Sequence, residues 1–295
     1  MSGIEGVLPV IPTPLVDGAF DKRSMERFLD HFLPSLDGYA LLGSTGEAPS
    51  LTTSQRMEIA DFCLQATSPD KTVVVGVSHT SLGDSIALAQ HAESVGARGV
   101  LCAAPYYFGN TPEGLLGFMR SIDHAIGIEL VLYDNPVPTN TALDPAAVIR
   151  WSQELDHLHT VKLTDHELGK IPIWHNSGLK VIAGDDPIAF RYLAEGVDGV
   201  MMIVPSIFPE AFAEVWRAVK AGSLEDAYDV FSSRILPFTH VFGIGDEIAT
   251  SKAALQMMGI FTSAEVLPPL VAASADRRDL VGLGYRTASR AESSR

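Results

Sequence analysis

Only two cysteines, Cys63 and Cys102, occur in the 295 residues. Two thiols cannot build a framework of bridges, and they fit a reducing compartment better than a disulfide-stapled secreted fold. No staple is needed either, since a chain of this length buries roughly three quarters of its unfolded surface. No apolar run approaches the roughly 18 residues of a membrane-spanning helix. The stretch Met1–Thr13 has no Lys or Arg and is broken by Pro9 and Pro12, which argues against a secretion signal. Basic residues are scarce as well: 21 Lys plus Arg stand against 36 Asp plus Glu, a formal charge of −15. Such a surface repels phosphate backbones, and no Lys/Arg run offsets it. Neither nucleic acid nor membrane is an expected partner. A cytoplasmic globular protein is.

What the chain does contain is one repeated pattern. Apolar runs at Gly6–Thr13, Tyr39–Leu42, Thr72–Val77, Gly99–Ala103, Glu129–Tyr133, Leu158–Lys162, Lys180–Ala183 and Gly199–Ile203 alternate with stretches of helical length. Those stretches fall at Ser24–Leu36, Thr53–Thr67, Leu82–Val95, Pro112–Ile126, Asp144–Glu154, Gly169–Asn176, Pro187–Glu195 and Glu210–Ala221. Runs that are apolar throughout, without in/out alternation, fit a parallel sheet covered on both faces. Eight β/α units in succession predict an α/β protein of the (β/α)8 TIM-barrel class over residues 1–222. Two doubly wound half-domains are the alternative, but no Pro/Ser-rich linker or change of composition marks a boundary. Leu224–Leu236 and Glu247–Met258 predict a C-terminal helical extension over 223–276. The polar stretch 277–295 is expected to be a loose tail.

In a barrel of this class the chemistry sits where strands end, because the βα loops form the active face. That rule sorts the seven lysines. Lys71 and Lys180 precede their strands, while Lys22, Lys170, Lys220 and Lys252 fall in loops or helices, where solvated charge is expected. Only Lys162 ends a strand. An amine stripped of water there becomes a usable nucleophile, and a neutral lysine attacking a carbonyl gives a Schiff base. The alternative is a lysine that merely pairs with Asp165 or Asp185. The fifth run delivers Tyr133 to the same face. The second opens into Gly43-Ser44-Thr45-Gly46-Glu47, two glycines flanking two hydroxyls just before a helix, which reads either as a small-anion site or as a tight βα turn. An amine, a phenol and a carboxylate cradle suit 2-oxo acid chemistry.

Gly43-Ser44-Thr45-Gly46-Glu47, Pro105-Tyr106-Tyr107, Tyr133-Asp134-Asn135-Pro136, Val161-Lys162 and Gly184-Asp185-Asp186 occur in the order and spacing of the dihydrodipicolinate synthase / N-acetylneuraminate lyase family. From about Gly6 to Met258 the chain resembles these Schiff-base-forming barrels. The resemblance implies that Lys162 forms the imine and that Tyr133 shuttles protons. Ser44 and Thr45 would hold the carboxylate of a pyruvate-type substrate. Tyr107, from a neighbouring subunit, would complete a hydroxyl relay with Ser44 and Tyr133. Thr164 and Ile203 would join the substrate-binding set. It also implies a homotetramer of two tight dimers, and neither an organic cofactor nor a metal.

The implied activity is a class I lyase or aldolase that makes or breaks a C–C bond, with pyruvate as donor or product. A dehydratase of a 3-deoxy-2-oxo sugar acid and a dihydrodipicolinate synthase proper remain alternatives. A non-catalytic 2-oxo acid sensor is the alternative of a different class. Pro138 stands where the synthases carry an arginine for the second substrate's carboxylate, and proline cannot donate that contact. Thr139, Asn140, Thr164, Asp165 and Asp186 suit hydroxyls or amines better, so a neutral or hydroxylated aldehyde is the expected electrophile. Ser44 and Thr164 resemble the lyase branch. Gly243-Ile244-Gly245-Asp246 lacks a third glycine and is expected to be a turn between helices. His157 and His159 have no third ligand nearby, Cys102 is expected to be a buried thiol, and His79 is a possible substrate contact.

Overall fold

The computed structural model describes residues 3–242 and 246–292. Eight parallel strands follow one another in the chain: β1 Gly6–Val7, β2 Gly38–Leu41, β3 Thr72–Gly76, β4 Gly99–Ala103, β5 Glu129–Asp134, β6 Thr160–Leu163, β7 Lys180–Ala183 and β8 Gly199–Val200. Each pairs with its sequence neighbour, and β8 returns to β1. Closure between β1 and β2 is made by a bridge between Val10 and Ala40, where Ala40 N–H donates to Pro9 O at 2.8 Å and Ile11 N–H to Ala40 O at 2.9 Å. The result is the expected TIM barrel.

Its first strand is far shorter than the run Gly6–Thr13. Pro9 and Pro12 have no N–H to give a ladder, so the regular strand stops at Val7. Beyond it pairing is confined to single bonds, Leu8 N–H to Val200 O and Val10 N–H to Met202 O, both at 2.9 Å, and to the closing bridge. The eighth is cut short likewise, because Pro205 opens a single 3₁₀ turn at Val204–Ser206.

Helices cover the barrel: α1 Lys22–Phe32, α2 Thr53–Ala66, α3 Leu82–Ser94, α4 Pro112–Asp123, α5 Pro145–Ser152, α6 Lys170–Asn176, α7 Ala189–Ala194 and α8 Pro209–Lys220. α2 starts as its sequence implies. Thr52 Oγ1 accepts from Gln55 N–H, and Gln55 Oε1 accepts from Thr52 N–H at 2.9 Å, a reciprocal capping box. An antiparallel hairpin, Leu15–Val16 against Ala19–Phe20, precedes α1. Its turn, Asp17-Gly18, has positive φ at both residues, the backbone that an Asp-Gly hairpin turn requires.

Beyond the barrel lie α9 Leu224–Arg234, α10 Glu247–Met257 and α11 Ala275–Glu292. The last corrects the expectation of a loose tail from Arg277. Val281 and Ala288 are buried, and Tyr285 stacks on Phe208 with ring centroids 5.7 Å apart. These three recur at helical spacing within a polar, Arg-rich sequence, which hid the stripe in the composition. Arg277 also grips Asp246 through two hydrogen bonds of 2.8 and 2.6 Å. No helix among the described residues is long and apolar enough to cross a membrane.

Candidate active site

Lys162 lies in β6 and Tyr133 in β5, and the two are register partners. Partners in adjacent parallel strands point to the same face, so amine and phenol ring are brought together by the ladder itself. Lys162 is only 3% exposed, and its Nζ stands 4.1 Å from the centroid of the Tyr133 ring. It forms no salt bridge among the described residues. The two candidate carboxylate partners are engaged elsewhere, Asp165 by Lys170 and Asp185 by His166 at 3.0 Å. The amine is thus buried without a counter-ion of its own.

Gly184, which follows β7, explains how so long a side chain fits. A Cβ at this position would lie 2.7 Å from Lys162 Cε and would collide with Thr164 Oγ1. Gly184→Ala should therefore displace the amine while sparing the fold, lowering kcat by about 10- to 100-fold. Kinetics beside a circular dichroism melt would check this.

Tyr133 also lines a cavity of about 190 Å³, together with Leu42, Ser44, Ser78, Leu101 and Pro138. The complete lining contains no charged side chain, and its polar groups are hydroxyls and the amide of Asn135. Lys162, against the Tyr133 ring, is not itself among the lining residues. Thr45 and Ile203 do not line it either. Ile203 N–H donates instead to Asp186 at 2.9 Å.

The turn after β2 is held open by its own geometry. Leu42 and Glu47 both adopt positive φ, and Glu47 N–H donates to Ser44 O at 3.0 Å. The N–H groups of Ser44, Thr45 and Gly46 have no partner among the described residues. Three free donors on one turn are suited to an anion. No α-helix begins directly after this turn. Only the single 3₁₀ turn Ala48–Ser50 follows, and α2 begins later, at Thr53.

Two acidic residues expected to face substrate are committed to structure. Asp186 caps the turn after β8, accepting from Ile203 N–H and from Val204 N–H at 2.8 Å. Burial pushes its carboxyl up to about 7 against those two donors. Asp165 belongs to a buried triad with Lys170 and Asp134, in which Lys170 Nζ donates to Asp134 Oδ2 at 2.7 Å. Burial raises the Asp134 carboxyl. Burial opposes the Lys170 ammonium, but hydrogen bonds to both carboxylates prevail and raise it. Lys170 was expected in solvent, as was Lys252. Both are buried, and Lys252 pairs with Glu47.

Thr139 spends its hydroxyl on Asn135 O at 2.7 Å. Thr164 differs: its Oγ1 is buried with no hydrogen-bond partner among the described residues. Tyr107 is 80% exposed, stacks edge-on against Phe108 with centroids 5.2 Å apart, and does not line the cavity of its own chain. Its neighbour Tyr106 lines that cavity. Ser78 and Asn135 line it too, and the sequence marked neither as functional. The signal for Ser78 was its position just past strand three; Asn135 lies just past strand five, inside the motif Tyr133-Asp134-Asn135-Pro136.

His79 Nδ1 accepts from Ser81 N–H at 2.9 Å and closes a turn. His157 faces Asp123 at 3.3 Å. Burial pushes the Cys102 thiol up to about 12, which makes it inert. Gly243–Gly245 lies outside the described residues. Among the described residues no three His, Cys, Asp or Glu side chains converge on a metal-sized site.

Residues 3–283 match the model of the dihydrodipicolinate synthetase family. The chain belongs to that family. A 4-hydroxy-tetrahydrodipicolinate synthase of Acidiphilium cryptum is 30% identical over 95% of this chain and 98% of its own. Its namesake in Thermosipho africanus is 28% identical over 94% and 96%. The crystal structure of a dihydrodipicolinate synthase from Thermotoga maritima superposes with a TM-score of 0.91 at 27% identity, covering 97% of this chain and 99% of that one. Members of the dihydrodipicolinate synthetase family are Schiff-base-forming, pyruvate-dependent lyases and aldolases, and this chain is an enzyme of that class.

Proposed function

We propose that Lys162 forms an imine with a 2-oxo acid, and that the enzyme makes or breaks the bond between C3 of that acid and an aldehyde carbon, with pyruvate as donor or product. The observation that carries this is a buried lysine without a counter-ion, set over a phenol beside an anion-competent turn. A pure sensor gains nothing from burying an unpaired amine.

Lys162 Nζ, in its neutral form, attacks C2 of pyruvate and passes one proton to the carbonyl oxygen. The Tyr133 phenol gives the resulting hydroxyl a second proton, so that it leaves as water and an iminium remains. The iminium draws electrons from C3, a C3 proton is removed, and an enamine results. That enamine adds to the aldehyde carbon, whose oxygen takes a proton, and water then releases the product and restores the amine. Cleavage is the same path reversed. The Tyr133 phenol is the proton carrier. The free N–H groups at Ser44, Thr45 and Gly46 hold the pyruvate carboxylate. Tyr107, too exposed to act in its own site, is read as completing that of a second copy, beside Ser44 and Tyr133, within a tetramer of two tight dimers. Thr164 Oγ1, buried and without a partner, is suited to a substrate hydroxyl. Ile203 would act only through its backbone. Two unbridged cysteines favour a cytoplasmic setting.

The electrophile is a neutral or hydroxylated aldehyde. The relatives' name denotes condensation with aspartate semialdehyde, whose carboxylate needs a cation, whereas the cavity presents Pro138 and no charge. A buried carboxylate left unpaired costs about 2–5 kcal/mol, or roughly 30- to several-thousand-fold in kcat/KM. Steady-state assays with pyruvate and a panel of aldehydes test this, and Pro138→Arg should raise kcat/KM for the semialdehyde by about 10-fold or more. If the wild-type enzyme prefers the semialdehyde to every neutral aldehyde, the proposed specificity is wrong. Product analysis separates the lyase from the dehydratase: an aldehyde beside pyruvate, or a dehydrated oxo acid.

A further inference from the structure

We infer that the buried Glu47–Lys252 ion pair is a positioning device through which the C-terminal extension holds the Ser44–Thr45 turn in the shape that binds the 2-oxo acid carboxylate. This rests on the carboxylate-cradle proposal above. Both side chains are completely buried, and they come from opposite ends of the sequence, one from the turn after β2 and the other from α10. A buried pair of this kind gives little net stability, because desolvation of two ions offsets their attraction. Its value lies in fixing geometry.

The geometry it fixes is strained. Glu47 is a non-glycine residue at φ 56°, and Leu42, at the other end of the turn, has φ 58°. Such backbone persists only where its surroundings impose it. Glu47 is held at three points. Its N–H closes the turn on Ser44 O, Oε1 meets Lys252 Nζ, and Oε2 accepts from Leu267 N–H at 2.6 Å. Lys252 Nζ in turn donates to Glu265 O at 2.7 Å, and Glu265 Oε1 accepts from Gly18 N–H at 2.8 Å. On the inner side, Thr13 Oγ1 donates to Gly46 O at 2.7 Å. The turn is thus clamped between the first strand's continuation and the extension, with the free N–H groups of Ser44, Thr45 and Gly46 between the clamps. Neither Glu47 nor Lys252 lines the cavity, so their effect on substrate passes through the turn.

The test is the pyruvate concentration that half-saturates borohydride trapping, measured with thermal stability for the full-length protein. Lys252→Met leaves the Glu47 carboxylate buried and unpaired, and it should lose both stability and pyruvate affinity. The double variant Glu47→Gln/Lys252→Met removes both charges and should recover most of the melting temperature. Its half-saturating pyruvate should nevertheless stay raised by about 10-fold, with the trapping rate at saturation within about 3-fold of wild type. Glu47→Gln alone, which keeps the shape and the Leu267 bond, should move half-saturation the same way by less. If any folded variant of the pair traps pyruvate with wild-type half-saturation, the device is structural only and the inference falls. If the wild-type protein traps no pyruvate at any concentration, the imine proposal falls and takes this inference with it.

Discussion

Lys162→Ala is expected to lower kcat by about 10⁵-fold or more while leaving the barrel folded. The size follows from what the amine does. It supplies the covalent electron sink, and no other lysine can replace it. Lys170 is locked between two carboxylates, Lys252 is paired with Glu47, and Lys180 reaches Glu5 from the start of its strand. Lys162→Arg should be nearly as inactive, because a guanidinium stays protonated and cannot attack a carbonyl. That pair of variants separates charge from nucleophilicity. Retained thermal stability, with kcat lost in both, supports the assigned role. Activity within about 10-fold of wild type in either variant would place the nucleophile elsewhere.

Lys170→Met should destabilise the protein by about 3–5 kcal/mol, or roughly 5–15 °C in melting temperature. Lys170 is the only cation within the Asp134–Lys170–Asp165 triad, and all three side chains are at most 10% exposed. Methionine fills the space but leaves two carboxylates buried and close together. The strain should ease in acid. Burial already favours the protonated form of Asp134, so lowering the pH lets it take up a proton and narrows the gap between variant and wild type. Thermal melts of both proteins across the acid range would show convergence. A constant gap would mean that lost packing, rather than unpaired charge, is the cost. Activity should suffer too, because Asp134 directly follows Tyr133 and anchors Thr164 N–H through its carbonyl at 3.0 Å.

The barrel was legible because eight short apolar runs, separated by helical stretches, permit few other folds, and Lys162 was legible because only one lysine ended such a run. Other features were hidden for physical reasons. Solvated charge is the ordinary state of a loop or helix lysine, so nothing local marked Lys170 and Lys252 as buried. Their partners lie far away in sequence, at Asp134 and Glu47. Asp186 looked like a free acid beside the site, yet two N–H groups from the turn after β8 consume it. The helix Ala275–Glu292 was masked by its arginines, since its buried face is narrow. Tyr107 matched the family motif, and its exposure is what the proposed second copy of the chain would account for.

The most direct measurement is borohydride reduction of the wild-type protein with pyruvate, followed by peptide mass analysis. One reduced pyruvate on the peptide containing Lys162, and none in Lys162→Ala, is the expected result. An unmodified Lys162 peptide after reduction with pyruvate and with a panel of other 2-oxo acids, or an adduct on a different lysine, would contradict it.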